Sequence, residues 1–225
     1  MNHNKARSLT ISGIGSTHGG TVYSARIDGI GKVEGDISCS DFRVNGKAEI
    51  QGSVEARTAE IHGTAKISGR LQADRIRVHG HLIVESGLTG EHIHLHGTVE
   101  VKGDCEAESL DGNGKFQLNS LNAGTVRITM NGSSSIAEIG GEHIQIRKQP
   151  GSGALSWIPM LSGRFACRMT AQIIEGDTIY LEYTKAELVR ENEIKIGPGC
   201  EIELVEYKTK FDGDSGSTIS RLEQS

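Results

Sequence analysis

Three histidines stand seventeen residues apart, at His62, His79 and His96, each immediately before a glycine. If successive copies of such a unit stack as neighbouring strands, their imidazoles form a ladder at about 4.8 Å spacing, which invites a metal ion. Asn45 and Asn113 occupy the same column, however. Asn and His are both enriched among the non-glycine residues that accept a left-handed backbone, so the column reads as corner geometry and not as a metal site. His92 and His94 flank apolar Ile93 and therefore point outward as surface groups. Gly112-Asn113-Gly114-Lys115 lacks the GxxxxGK spacing that lets backbone N–H groups cradle a phosphate. Cys39, Cys105, Cys167 and Cys200 show no CxxC spacing for zinc or dithiol chemistry. No catalytic, cofactor-binding or metal-ligating set emerges from these residues.

The elements that carry them repeat. Glycine returns at Gly29, Gly46, Gly63, Gly80, Gly97 and Gly114, and apolar columns run between the glycines. One column holds Val33, Ile50, Ile67, Val84, Val101 and Leu118; another holds Val44, Ile61, Val78 and Leu95. Within a repeat the apolar residues come as i, i+2 pairs, such as Ala48/Ile50, Val54/Ala56 and Ala59/Ile61. Period two means a short strand with one face inward, and pairs stepping by 6, 5 and 6 residues close a coil of three strands per turn. A fixed period of this kind marks a solenoid, in which each repeat buries its face only against its neighbours. The fold class expected is all-β, a parallel β-helix with corner glycines where positive φ is cheapest.

Composition agrees. Aromatic residues make up 4% of the 225 and glycine contributes 30, which suits a narrow core of Val, Ile, Leu and Ala. The net charge of −5 has both signs interspersed and gives no reason to expect nucleic acid. One outward column alternates as Lys32, Glu49 and Lys66, a pattern that helps set register. No apolar run is long enough to span a bilayer and no signal peptide is evident, so a cytoplasmic protein is expected. Lys5 and Arg7 near the start lack an apolar partner stretch, so the sequence lends membrane association no support.

The pattern divides the chain into a flexible segment over 1–13, a β-helix over 14–147, a loop over 148–163, a continuation with wider turns over 164–208 and a disordered tail over 209–225. Pro150, Gly151, Gly153 and Pro159 mark the loop. It carries Trp157, Ile158, Met160 and Leu161, an apolar group that either folds over a core edge or forms a patch for a protein partner. Two enzyme classes use similar coils. Carbohydrate lyases and hydrolases need clustered outward Asp, Lys or Arg with aromatic sugar platforms, whereas here Asp and Arg are scattered and aromatics are few. Hexapeptide acyltransferases repeat strict six-residue units and place a catalytic histidine in an inserted loop. The 6-5-6 rhythm breaks that unit, and residues 148–163 hold no histidine.

Repeats such as Gly46-Lys47-Ala48-Glu49-Ile50-Gln51-Gly52 and Gly63-Thr64-Ala65-Lys66-Ile67-Ser68-Gly69 resemble those of the bactofilins, polymer-forming bacterial cytoskeletal proteins. The likeness covers about Gly20 to Arg147, and the stretches around Gly176–Tyr183 and Ile196–Ile202 are similar to longer Bacillus-type members. The resemblance implies a right-handed β-helix that polymerises end to end without nucleotide, needs no cofactor, and scaffolds cell shape, motility or envelope machinery. Its expected partners are further copies of itself and a sister bactofilin. On this reading the polymer interface involves Ile14 and Val22 near one end and Ile202 and Leu204 near the other. The alternatives are a capped adaptor that binds a partner through Trp157 and its neighbours, and a β-helix acyltransferase.

Overall fold

The computed structural model describes residues 7–150 and 167–224. The chain divides into two compact units, Met1–Cys105 and Glu106–Ser225. Ten strands follow in order: β1 (Ser8–Thr21), β2 (Ser24–Gln51), β3 (Val54–Ile67), β4 (Leu71–Val84), β5 (Leu88–Met130), β6 (Ser134–Lys148), β7 (Met169–Leu181), β8 (Thr184–Ile196), β9 (Glu201–Gly213) and β10 (Thr218–Gln224). No helix occurs among the described residues. Strands adjacent in sequence are adjacent in the sheet, and the pairs run parallel. The fold is the expected all-β parallel solenoid.

In the first unit β3 shows why this sequence coils. Val54/Ala56, Ala59/Ile61 and Ala65/Ile67 are buried, and the residues between them face out. The seventeen-residue register stacks like on like: Val44 meets Ile61, Ile61 meets Val78, and Val78 meets Leu95. Each fully buried Val, Ile or Leu contributes roughly 1.5–3 kcal/mol, so these columns hold the coil together. At the corner, Gly63 has φ +125°, and a Cβ placed there would lie 2.2 Å from the carbonyl oxygen of Gly46. Backbone stacks directly on backbone at that corner, and the glycine column is therefore a requirement of the turn.

The coil begins earlier than its seventeen-residue period suggests. Residues 8–13 are not a flexible segment but the first half of β1, with Leu9 and Ile11 buried over Ala25 and Ile27. The β1–β2 register is offset by sixteen residues and shifts between His18 and Gly20, which hides this turn from the period.

The second unit varies its turn length. Gln117–Met130 of β5 lie on β6 at an offset of eighteen, so Val126 and Ile128 seem one place early in the sequence. β7 and β8 are offset by only fifteen, which corrects the expectation of wider turns. Burial falls at Met169/Ala171, Ile174 and Ile179/Leu181, then at Thr184/Ala186, Val189 and Ile194/Ile196. Apolar Leu188 is only half-buried while polar Thr184 is buried, so an apolar pattern lengthens the apparent turn. Nor do residues 209–224 form a disordered tail. β9 continues to Gly213, and β10 pairs in parallel with Glu201–Tyr207. β10 is mostly polar and exposed, so its ladder of backbone bonds, invisible to an apolar pattern, holds it in place.

Candidate assembly surfaces

Outward columns of the first unit form side-chain ladders. The imidazoles of His62 and His79 stack with centroids 5.2 Å apart, and His79 and His96 follow at 5.8 Å. Among the described residues only Tyr183 combines a side chain with positive φ, at 47°. The left-handed explanation for this column is therefore wrong: the histidines are ordinary strand residues preceding the glycine corner. Asn45 Nδ2 donates to Asp28 Oδ1 at 2.7 Å in the same column, so polar stacking accounts for it. Arg43 holds Glu60 at 2.8 Å, and Arg77 approaches the same carboxylate at 3.6 Å. Lys66 pairs with Glu85 at 3.3 Å, and Lys102 pairs with the same carboxylate, which replaces the expected Lys66–Glu49 step. These cations hold the Glu85 carboxyl below its ordinary range, Lys102 most strongly. Exposed pairs of this kind are screened by water and mainly fix register.

The terminal strands are the other feature with chemical potential. Among the described residues β1 is bonded to β2 alone, and no described strand lies on its other edge. A cavity of about 250 Å³ opens in this turn, lined by residues 7–10 and 17–22. Small inward residues explain the hollow, because Thr17 stacks on Val33 and Gly20 on Ile37. Val22 borders it half-buried, its N–H donating to Ser38 O at 2.9 Å. Ile14 is 85% exposed and stacks on Ile30, which is 51% exposed, so this pair faces sideways and not into the turn.

At the other terminal strand two residues of the expected interface move inward. Ile202 is 2% exposed, with Ala186 on one side and Ile219 on the other. Leu204 lies between Leu188 and Arg221. Both belong to the last turn but one, because β10 covers them. The outer layer there is Ile219, Leu222 and half-buried Phe211, whose ring contacts Tyr207 at 5.6 Å. The sequence did hold a signal: Ile219 and Leu222 stand seventeen residues after Ile202 and Val205. The residues Trp157, Ile158, Met160 and Leu161 lie outside the described residues.

Elsewhere in the second unit, polar groups serve the fold. A groove of about 460 Å³ between β6 and β9 has Arg147 above the Tyr180 ring at 5.1 Å. Tyr180 Oη donates to Glu182 Oε1 at 2.7 Å, and this bond raises the phenol's pKa. Lys195, also in the groove, is occupied by Asp212 at 3.4 Å. Glu191 is 3% exposed, and its Oε2 has no hydrogen-bond partner. Burial raises its carboxyl pKa first, with Asp177 adding to the rise. Among the described residues no group of three or more His, Cys, Asp or Glu side chains is placed to hold a metal ion, and no helix is long and apolar enough to cross a membrane.

Stacked parallel turns and glycine corners define a parallel β-solenoid among the described residues. Residues 4–89 match the bactofilin family, described as polymer-forming cytoskeletal. It is 36% identical over 100 residues to the uncharacterized protein YhbF of Bacillus subtilis (strain 168), covering 44% of this chain and 39% of that protein. It is 38% identical over 100 residues to the uncharacterized protein YhbE of the same strain, covering 44% of this chain and 40% of that protein. The chain thus spans about two fifths of the length of the curated relatives it matches. No solved structure matches it.

Proposed function

We propose that this chain is a cytoskeletal scaffold that self-assembles end to end, without nucleotide, through its terminal turns. The observation that carries this reading is the edge of β1, fourteen residues long and bonded, among the described residues, to β2 alone. Such an edge must be covered, blunted or paired, and a second copy offers a strand of matching length and twist. The hollow behind it, lined in part by Val22 and Thr17, supplies apolar and small surface for the incoming turn. Backbone pairing sets direction and register; burial at the hollow adds affinity. The partners are further copies of the chain and a sister bactofilin, and the setting is the cytoplasm, where the polymer supports cell shape, motility or envelope machinery. We assign it no catalytic step.

A second reading rests on β10. This short polar strand covers Glu201–Tyr207 and leaves the rest of β9 without a partner from it. If β10 acts as a cap, growth proceeds from β1 alone and stops at a pair, as befits a scaffold of limited size.

Negative-stain microscopy of the purified chain across a dilution series separates the two. Filaments support growth at both ends, and particles of two copies support the cap. Val22→Arg places a charge at the rim of the hollow and is expected to abolish either assembly while the circular dichroism spectrum is unchanged. Assembly that survives this change would remove the β1 edge from the mechanism.

A further inference from the structure

Asn-Gly occurs three times in the chain, at Asn45-Gly46, Asn113-Gly114 and Asn131-Gly132. The dipeptide carries its own chemistry. The glycine backbone nitrogen can attack Cγ of the asparagine, because a residue without Cβ leaves that approach unhindered. A bond forms from this nitrogen to Cγ, the Cγ–Nδ2 bond breaks, and ammonia leaves with the proton that the glycine nitrogen gives up. Water then opens the cyclic imide at either carbonyl and leaves aspartate or isoaspartate. The reaction needs water alone as co-reactant. It also needs a carboxamide free to turn toward the next residue and a glycine N–H free of a ladder bond.

Two of the three sites restrain these groups. Asn45 Nδ2 donates to Asp28 Oδ1 at 2.7 Å, and Asn45-Gly46 lies inside β2 in register with His62-Gly63. Gly46 has φ +127°, and a Cβ there would lie 2.2 Å from Gly29 O, so stacked backbone fixes this corner. Asn113-Gly114 lies inside β5, with Asn113 half-buried and Gly114 buried at φ +151°. The third site is built differently. Asn131 and Gly132 fall between the end of β5 at Met130 and the start of β6 at Ser134, and Asn131 is exposed. Its backbone N–H donates to Gly114 O at 3.1 Å. Among the described residues, neither its carboxamide nor the Gly132 N–H has a hydrogen-bond partner. A Cβ built on Gly132 would meet nothing within 4 Å, so the chain around that nitrogen is open.

We propose that Asn131-Gly132 is a site of spontaneous deamidation, the one Asn-Gly pair that the folded chain leaves reactive. Either product adds a negative charge to the bend between β5 and β6. Isoaspartate also routes the main chain through the former side chain and lengthens it by one carbon. Both flanks of the bend are anchored. Met130 is fully buried on one side. On the other, Ser134 is 4% exposed, its Oγ accepting from Phe116 N–H at 3.0 Å and its own N–H donating to Arg168 O at 2.9 Å. Gly132 O accepts the Cys167 thiol at 3.6 Å. An added backbone carbon therefore pushes against two fixed columns, and the isoaspartate form is less stable than the asparagine form. The chemistry requires no second copy, so its test is independent of end-to-end assembly.

The test is incubation of the full chain at pH 8, followed by peptide mass mapping, which reads a gain of about one dalton at each converted site. Asn131 is expected to convert at least about tenfold faster than Asn45 or Asn113 in the folded chain, because only those two wait for local opening. In urea the three rates should converge to within about threefold, since the protecting ladder is gone. Gly132→Ala places its methyl group in open space, so it should leave the circular dichroism spectrum unchanged while slowing conversion at Asn131 about tenfold by crowding the attacking nitrogen. Methyl transfer by a protein isoaspartate methyltransferase reads the isoaspartate share. The chain carrying it should show a lower urea midpoint than Asn131→Asp, which adds charge without lengthening the backbone. Equal rates at the three sites in the folded chain would overturn the proposal. So would conversion at Asn131 that Gly132→Ala does not slow, because no imide would then be closing. An isoaspartate form as stable as Asn131→Asp would overturn the backbone consequence.

Discussion

Gly63→Ala is a small chemical change at a position where the structure leaves no room for it. The backbone there has φ +125°, and the new Cβ would lie 2.2 Å from Gly46 O, against 3.4 Å for an ordinary contact. Two terms add. A side chain held in this glycine region of backbone space costs roughly 1–3 kcal/mol. Relieving the overlap moves the corner by about 1 Å in a close-packed stack. That movement weakens roughly two ladder hydrogen bonds, each contributing about 1 kcal/mol. The expected loss is therefore about 3–5 kcal/mol, at the severe end for single substitutions. Gly35→Ala separates the two terms, because Gly35 has φ +88° and nothing within 4 Å of its missing Cβ. Only the backbone term remains there, about 1–2 kcal/mol. Urea denaturation followed by circular dichroism gives both values. Equal losses at the two sites would refute the reasoning, since they would mean that backbone contact at the stacked corner contributes nothing.

Other perturbations probe charge, burial and pH. Arg190 bridges Glu175 at 3.0 Å and Glu206 at 2.5 Å while remaining exposed, so Arg190→Ala should leave the urea midpoint nearly unchanged in the same denaturation assay. Glu191 has its carboxyl pKa raised in the folded chain, chiefly by burial, so its protonated form favours folding. That contribution is fully present below the ordinary glutamate range and is lost as pH rises through the elevated folded value. Glu191→Gln should therefore raise stability at pH 7 by about 1 kcal/mol, with the gain vanishing near pH 3, as read from urea midpoints at the two pH values. Burial pushes the Cys39 thiol up to about 11, so iodoacetamide at pH 8 should label it far more slowly in the folded chain than in urea, as measured by mass spectrometry.

The regular part of the fold is legible in the sequence because one period governs both burial and corner. Val54/Ala56, Ala59/Ile61 and Ala65/Ile67 announce three inward faces, and Gly63 announces the corner between two of them. What escapes is whatever departs from seventeen. β1 sits at an offset of sixteen, one turn of the second unit at eighteen, and β7–β8 at fifteen, yet all pair in parallel. A parallel ladder requires that residues meet across strands; it does not require that corners contain a constant number of residues. Corner length can vary while the buried columns stay aligned, so a fixed-period reading loses the turn although the chain keeps it.

The same argument explains why the sequence marks the ends of the coil poorly. Val22 lies at the edge because apolar periodicity is faint there: Thr17 and Gly20 hold inward positions that Val33 and Ile37 fill one turn later. Ile202 and Leu204 look terminal because the strand beyond them, Thr218–Gln224, is polar apart from Ile219 and Leu222. A solenoid end is the place where inward residues lose their neighbours, so selection for a buried column weakens there and polar residues become tolerable. The apolar signal thus fades before the hydrogen-bonded ladder does. A reader of columns alone will place each end too far inward, and the surface on which further strands could add is the part of the sequence that resembles a solenoid least.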